Sequence, residues 1–158
     1  VIVFAAIRSN DINLPLFLHI LGSMLVTGTL LTVVGAMILG WRRAGDNTGL
    51  TRLSFKTVLW GLFPAYLLMR LSAQWLESEE GLAEAPNTPV WLIIGYVVAD
   101  FGALLVLVAL VLSAVGLRKL RAGNVGSAQR IGRAVGLISV LLLVAYLIAM
   151  WAMSAKPA

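Results

Sequence analysis

Residues 90–117 read VWLIIGYVVADFGALLVLVALVLSAVGL, with Asp100 as the one charged residue, and Arg118, Lys119 and Arg121 follow at once. About 20 apolar residues in a helix cross the hydrocarbon core of a bilayer. A run of this length has no use in a soluble core of modest size, so it reads as a membrane-spanning helix. Pro86 and Pro89 lead into it. Three more runs of the same kind lie around it, at 14–40, 53–76 and 131–153. The sequence therefore predicts an all-α, transmembrane, antiparallel four-helix bundle with short loops and one domain over residues 1–158.

Composition agrees. Of 158 residues, 60% are hydrophobic and 12% charged, and mean hydropathy is +0.96. Soluble domains carry roughly twice that share of charge. The net charge of +5 and pI of about 10.3 would suggest nucleic acid in a soluble protein. Here the basic residues sit in short stretches between apolar runs, so the bilayer is the expected partner and nucleic acid is not. With no Cys in the chain, disulfides, thiolate metal sites and a Cys nucleophile are excluded.

Lys and Arg set the expected orientation. Arg42, Arg43, Arg52 and Lys56 surround the first connection, and Arg118, Lys119, Arg121, Arg130 and Arg133 surround the third. The middle connection, residues 77–89, holds Glu77, Glu79, Glu80 and Glu84 and no base; the tails add Arg8 and Lys156. Basic loops stay in the cytoplasm. Both termini and the acidic loop are then outside, in a bacterial plasma membrane, the short loops favouring a bacterium. Trp75, Trp91 and Trp151 fall at the expected outer ends and Trp41 at an inner end, the headgroup depth that tryptophan prefers. Residues 1–7 are apolar but too short to span, and read as an interfacial segment rather than a signal peptide.

Local signals refine the helices. Asn10, Asp11 and Asn13 offer N-cap oxygens before the first span, with Pro15 in its first turn. Pro64 beside Gly61 is expected to kink the second. Lys156 and Pro157 stop the fourth. Small residues mark close-packing faces: Gly28, Thr32 and Gly35; Gly95, Ala99 and Gly102; Gly132 and Gly136. These faces serve either the bundle or a homo-oligomer or larger membrane complex. Residues 40–46 (GWRRAGD) and 116–124 (GLRKLRAGN) occupy equivalent turns, which suggests either an internal duplication or convergence on a common turn chemistry.

His19, Arg70 and Asp100 lie within the spans, and ionisable groups there are functional candidates. At about 1.5 Å per residue, they stand about 7, 9 and 15 Å from the outer ends of their helices, and Tyr146 about 10 Å. Tyr66, Arg70 and Gln74 recur every four residues, as do Tyr96 and Asp100. An outer polar pocket of His19, Tyr66, Arg70, Gln74, Tyr96, Asp100 and Tyr146 is the expectation, with Arg70 and Asp100 paired. That pair serves either as a lock between the second and third spans or as part of a site. The methionines Met24, Met69, Met150 and Met153 offer His19 possible partners for haem or copper, against the plainer reading that they pack. No cofactor is expected on balance. The acidic loop lacks the alternation of a calcium-binding loop.

The stretch LHILGSMLVTGTLL, residues 18–31, resembles the opening helix of uncharacterised bacterial integral membrane proteins distantly similar to the membrane domain of copper-resistance D proteins. His19, Gly22 and Gly28 match that pattern, while Thr29 departs from a Gly-Gly pair. The resemblance implies a bacterial plasma-membrane location and, for the copper relatives, copper uptake. The sequence lacks a P-loop, a G-x-S-x-G elbow and an H-E-x-x-H motif. A non-enzymatic accessory or scaffold protein is the first expectation. Binding or transport of a proton, copper or small solute through the outer pocket is the second, and a haem-carrying redox subunit the third.

Overall fold

The computed structural model describes residues 10–42, 47–81 and 89–155. The elements are α1 (Asn10–Arg42), α2 (Thr48–Thr57), a π-helical turn (Val58–Leu62), α3 (Phe63–Glu80), α4 (Val90–Arg121) and α5 (Val125–Ala155). No strand occurs among the described residues. The π turn joins α2 and α3 without a break, so the described residues make four helical rods. Among the described residues, three helices are long and apolar enough to cross a membrane: Asp11–Arg42, Val90–Arg121 and Val125–Ala155, with mean hydropathy 1.9, 2.5 and 2.5.

Pro64 accounts for the π turn. It has no N–H, and its ring would press on the carbonyl four residues back. The ladder widens just before it, where the Phe63 N–H donates to the Val58 carbonyl, five residues away. The expected irregularity is thus a widened turn at 58–62.

The helices outrun the apolar segments that announced them. Polar helix formers continue the backbone ladder beyond the apolar boundary. Arg118, Lys119 and Arg121 form the last turn of α4, where the helix dipole favours cations, rather than a loop. Arg130 and Arg133 belong to α5. Glu77, Glu79 and Glu80, expected in a solvated loop, complete α3, which ends on Gly81 at φ 63°. Asp11 and Asn13, expected to cap α1, lie within it. Arg8, Arg43, Glu84, Pro86, Lys156, Pro157 and the apolar stretch 1–7 lie outside the described residues, and so do residues 43–46 of the first turn.

The turn between α4 and α5 is short because Gly123 takes a left-handed conformation, φ 75°. The Asn124 N–H reaches back to the Lys119 carbonyl at 2.9 Å, and the Asn124 side chain accepts from the Ser127 N–H at 3.2 Å. At the start of α2, Asn47 turns its side-chain amide to the Gly40 carbonyl at 2.7 Å. An asparagine therefore tightens each basic turn, by a different bond in each.

Two hairpins result. α1 packs along α3, and α4 along α5. The hairpins meet along α1 and α5 and through α2, which touches both α4 and α5, but α3 and α4 scarcely touch. The join is built on Phe55, fully buried, whose ring lies on Gly116 where a Cβ would overlap it. Val33, Val58, Leu62, Val106, Val135 and Leu142 complete this core. Gly132 faces Thr51 and Gly136 faces Met37, so of the two uses left open the small residues of α5 serve the bundle. The α1 stripe does not: Gly28 and Gly35 face open space and Thr32 is exposed. The close approach of α1 to α3 is made instead at Gly22, where a Cβ would stand 2.6 Å from the Met69 nitrogen.

Gly22→Val should therefore cost about 1–3 kcal/mol through overpacking against backbone that cannot yield. Gly28→Val, the same change on an open face, should be near neutral. Thermal unfolding of both variants in one detergent checks this, and equal losses would contradict the packing.

Candidate functional site

The splay between the hairpins leaves a cavity of about 500 Å³ at the end opposite the basic turns. α1 lines it with His19, Ser23, Met24 and Thr27; α3 with Met69, Arg70, Ala73 and Glu77. α4 adds Trp91, Gly95, Tyr96 and Ala99, and α5 adds Tyr146, Ala149, Met150 and Met153. Most of this wall is apolar. A few polar groups on apolar walls at this volume is the usual make-up of a small-molecule site.

Where packing fails, polar links bridge α3 and α4. Arg70 Nη2 donates to Asp100 Oδ1 at 2.8 Å. The Tyr66 hydroxyl donates to the Ala99 carbonyl at 3.3 Å. The Tyr96 hydroxyl donates to Glu77 Oε1. Arg70 lines the cavity, with 27% of its side chain exposed, whereas Asp100 is 68% exposed and outside the lining. The ion pair thus stands in the wall between cavity and exterior. On the far side, the Thr27 hydroxyl meets Met150 Sδ at 3.8 Å, linking α1 to α5.

His19 is held by α3. Its Nδ1 lies 3.0 Å from the Met69 carbonyl. A carbonyl only accepts, so Nδ1 carries the proton. In the neutral ring Nε2 is then the atom with a lone pair to offer. Gly22, one turn on, makes the reach possible by letting α1 touch the α3 backbone at Met69. Ser23 and Thr27 return their hydroxyls to the carbonyls of His19 and Ser23, at 2.8 and 2.9 Å.

Of the seven residues expected to form the pocket, four line it: His19, Arg70, Tyr96 and Tyr146. Asp100 joins through Arg70. Tyr66 is buried in the core beneath, and its hydroxyl donates to the Ala99 carbonyl. Gln74 is exposed and takes no part. Steps of four residues advance about 40° past a full turn, so Tyr66 and Gln74 differ by about 80° around the helix. A step of seven returns to within about 20°. Glu77, seven after Arg70, is accordingly the partner that the apolar boundary at Leu76 concealed.

Tyr146 is buried, and its hydroxyl has no hydrogen-bond partner among the described residues. It lies over Gly102, where a Cβ would stand 2.5 Å from the oxygen. Glu79 accepts from the Trp75 ring nitrogen at 3.1 Å on the helix surface, away from the cavity. No group of three His, Cys, Asp or Glu side chains able to hold a metal ion occurs among the described residues.

Asp100→Asn should lower stability by about 1 kcal/mol, a modest loss because Asp100 is largely exposed. Combining it with Arg70→Met should recover part of that loss, since the arginine no longer sits opposite a lost charge. Melting temperatures of the wild type, the single variant and the double variant decide. Three equal values would remove any energetic role for the pair.

Comparison of the chain with protein-family models, with curated proteins and with solved structures finds no match.

Proposed function

We propose that this chain is a multi-pass membrane protein that binds a small amphipathic molecule in the cavity between its two hairpins, without chemistry of its own. The membrane reading draws support from three helices long and apolar enough to span. It also draws on the outward position of large apolar side chains, such as Trp60, 80% exposed, and Phe101, 69% exposed. Apart from Arg70, the described Lys and Arg residues cluster at one end, in the turns and helix ends around 42–56 and 118–133. By the positive-inside rule that end is cytoplasmic in a bacterial plasma membrane, and the cavity opens on the other side. The outward stripe of Gly28, Thr32 and Gly35 is compatible with self-association.

The cavity carries the binding reading. A scaffold whose polar groups only lock helices has no need of about 500 Å³ of space beside the lock. The lining is suited to binding rather than catalysis: the chain has no Cys, and its one His is tied by Nδ1 to a backbone carbonyl.

The absence of cysteine gives a clean test. Single variants Gly81→Cys, Ser23→Cys and Asn124→Cys should be treated with a membrane-impermeant maleimide on intact cells. Gly81→Cys and Ser23→Cys should label from outside, and Asn124→Cys only after lysis. Failure of Ser23→Cys to label beside a labelled Gly81→Cys would close the cavity and sink the binding reading. Labelling of Asn124→Cys on intact cells would invert the orientation.

A second reading rests on a distinct observation. His19 and the four thioethers of Met24, Met69, Met150 and Met153 line the same cavity. Thioethers suit Cu(I), and a ligating histidine typically donates its other ring N–H to a carbonyl, as His19 does. When bound there, copper would be held by soft donors that favour its reduced state. Metal analysis and an absorption spectrum of purified protein test this and the haem alternative together. Stoichiometric copper or a Soret band, lost in His19→Ala, would favour a cofactor, and a colourless metal-free protein would retire both.

A further inference from the structure

The charge on the cavity walls is one-sided. Among the described residues, Arg70 is the only Lys or Arg in the lining, and its charge is already met by Asp100 at 2.8 Å. The carboxylate of Glu77 is met by a neutral group, the Tyr96 hydroxyl. An anion entering here would find the Arg70 guanidinium engaged and the Glu77 carboxylate nearby. A cation would find the reverse.

The rest of the lining suits a cation with a large apolar body. Trp91, Tyr96 and Tyr146 supply aromatic rings, and a ring face attracts positive charge. Four methionines supply polarisable, unbranched side chains that adapt to irregular shapes. A strongly hydrated cation would lose water that this wall cannot replace. A delocalised charge buried in hydrocarbon has little water to lose.

We infer that the cavity recognises lipophilic organic cations, with Glu77 providing the charge selection and the aromatic and methionine walls the affinity. This rests on the amphiphile-binding reading and narrows it to one charge class. Tyr96 holds Glu77 in place by hydrogen bonding, which keeps the carboxylate against α4.

The test uses the full chain in lipid nanodiscs and two probes of nearly the same shape and opposite charge, tetraphenylphosphonium and tetraphenylborate. Equilibrium dialysis is corrected by empty discs. Saturable phosphonium binding at least about tenfold tighter than any saturable borate binding is expected, a preference that one partly desolvated charge contact supplies. Glu77→Gln should weaken phosphonium binding by about tenfold, while its amide oxygen still accepts from Tyr96 and melting shifts little. Borate bound as tightly as phosphonium would overturn the charge selection and leave the cavity reading intact. Saturable binding of neither would overturn both. Undiminished phosphonium binding in Glu77→Gln would remove Glu77 from the inference. Because the two-probe comparison is made on the wild type, it stands even if the variant does not fold.

Discussion

The Phe55 ring lies on Gly116 at the basic end, and that close contact joins α2 to α4. In lipid, helices gain little from burying one apolar surface on another; they associate where small residues let atoms approach closely. Gly116, Gly132 and Gly136 supply that approach on α4 and α5, against Phe55, Thr51 and Met37 from the other hairpin. Away from that end α1 still meets α5, through Thr27 and Met150, but nothing comparable packs α3 against α4. α1 stays with α3 because Gly22 admits the Met69 backbone, and α4 stays with α5, Gly95 receiving Met153 and Gly102 receiving Tyr146. The α3–α4 boundary is what opens, and the cavity is its consequence.

That boundary is held by polar contacts of long reach. An arginine, two tyrosines and a glutamate span a separation that leucines would leave as a void, and each link joins α3 to α4. Such groups are costly in hydrocarbon unless they find partners. Their presence therefore works in both directions. The gap requires side chains long enough to cross it, and the side chains, once paired, resist closure of the gap. The Arg70–Asp100 pair also separates two surroundings, since one partner faces the cavity and the other is largely exposed.

Apolar run length made the helices legible, because hydropathy is a property of sequence alone. Their ends were not, because the ladder does not stop where apolarity stops. That is why Glu77 was hidden in an expected loop while it stood one stripe of α3 from Arg70. The Arg70–Asp100 pairing was legible because two opposite charges in apolar runs have few other partners. Gln74 was misplaced by a four-residue spacing that drifts over two turns. The cavity was legible only through some of its polar groups, and its shape was not. It depends on which small residues are used for packing, and Gly28 and Gly35 carry the same pattern as Gly95 and Gly102 while facing nothing.

Gly22 shows how packing and chemistry are tied together. The contact that brings α1 against α3 fixes the Met69 carbonyl beside His19, and that carbonyl fixes the proton on Nδ1. The wall of the cavity and the hydrogen-bonding character of its one imidazole are therefore set by the same missing Cβ. A larger residue at 22 would move the α1 wall away from α3 and release His19 to rotate, altering shape and donor pattern together. The site is in this sense an outcome of helix packing: the polar groups take their roles from where the glycines allow the backbones to meet.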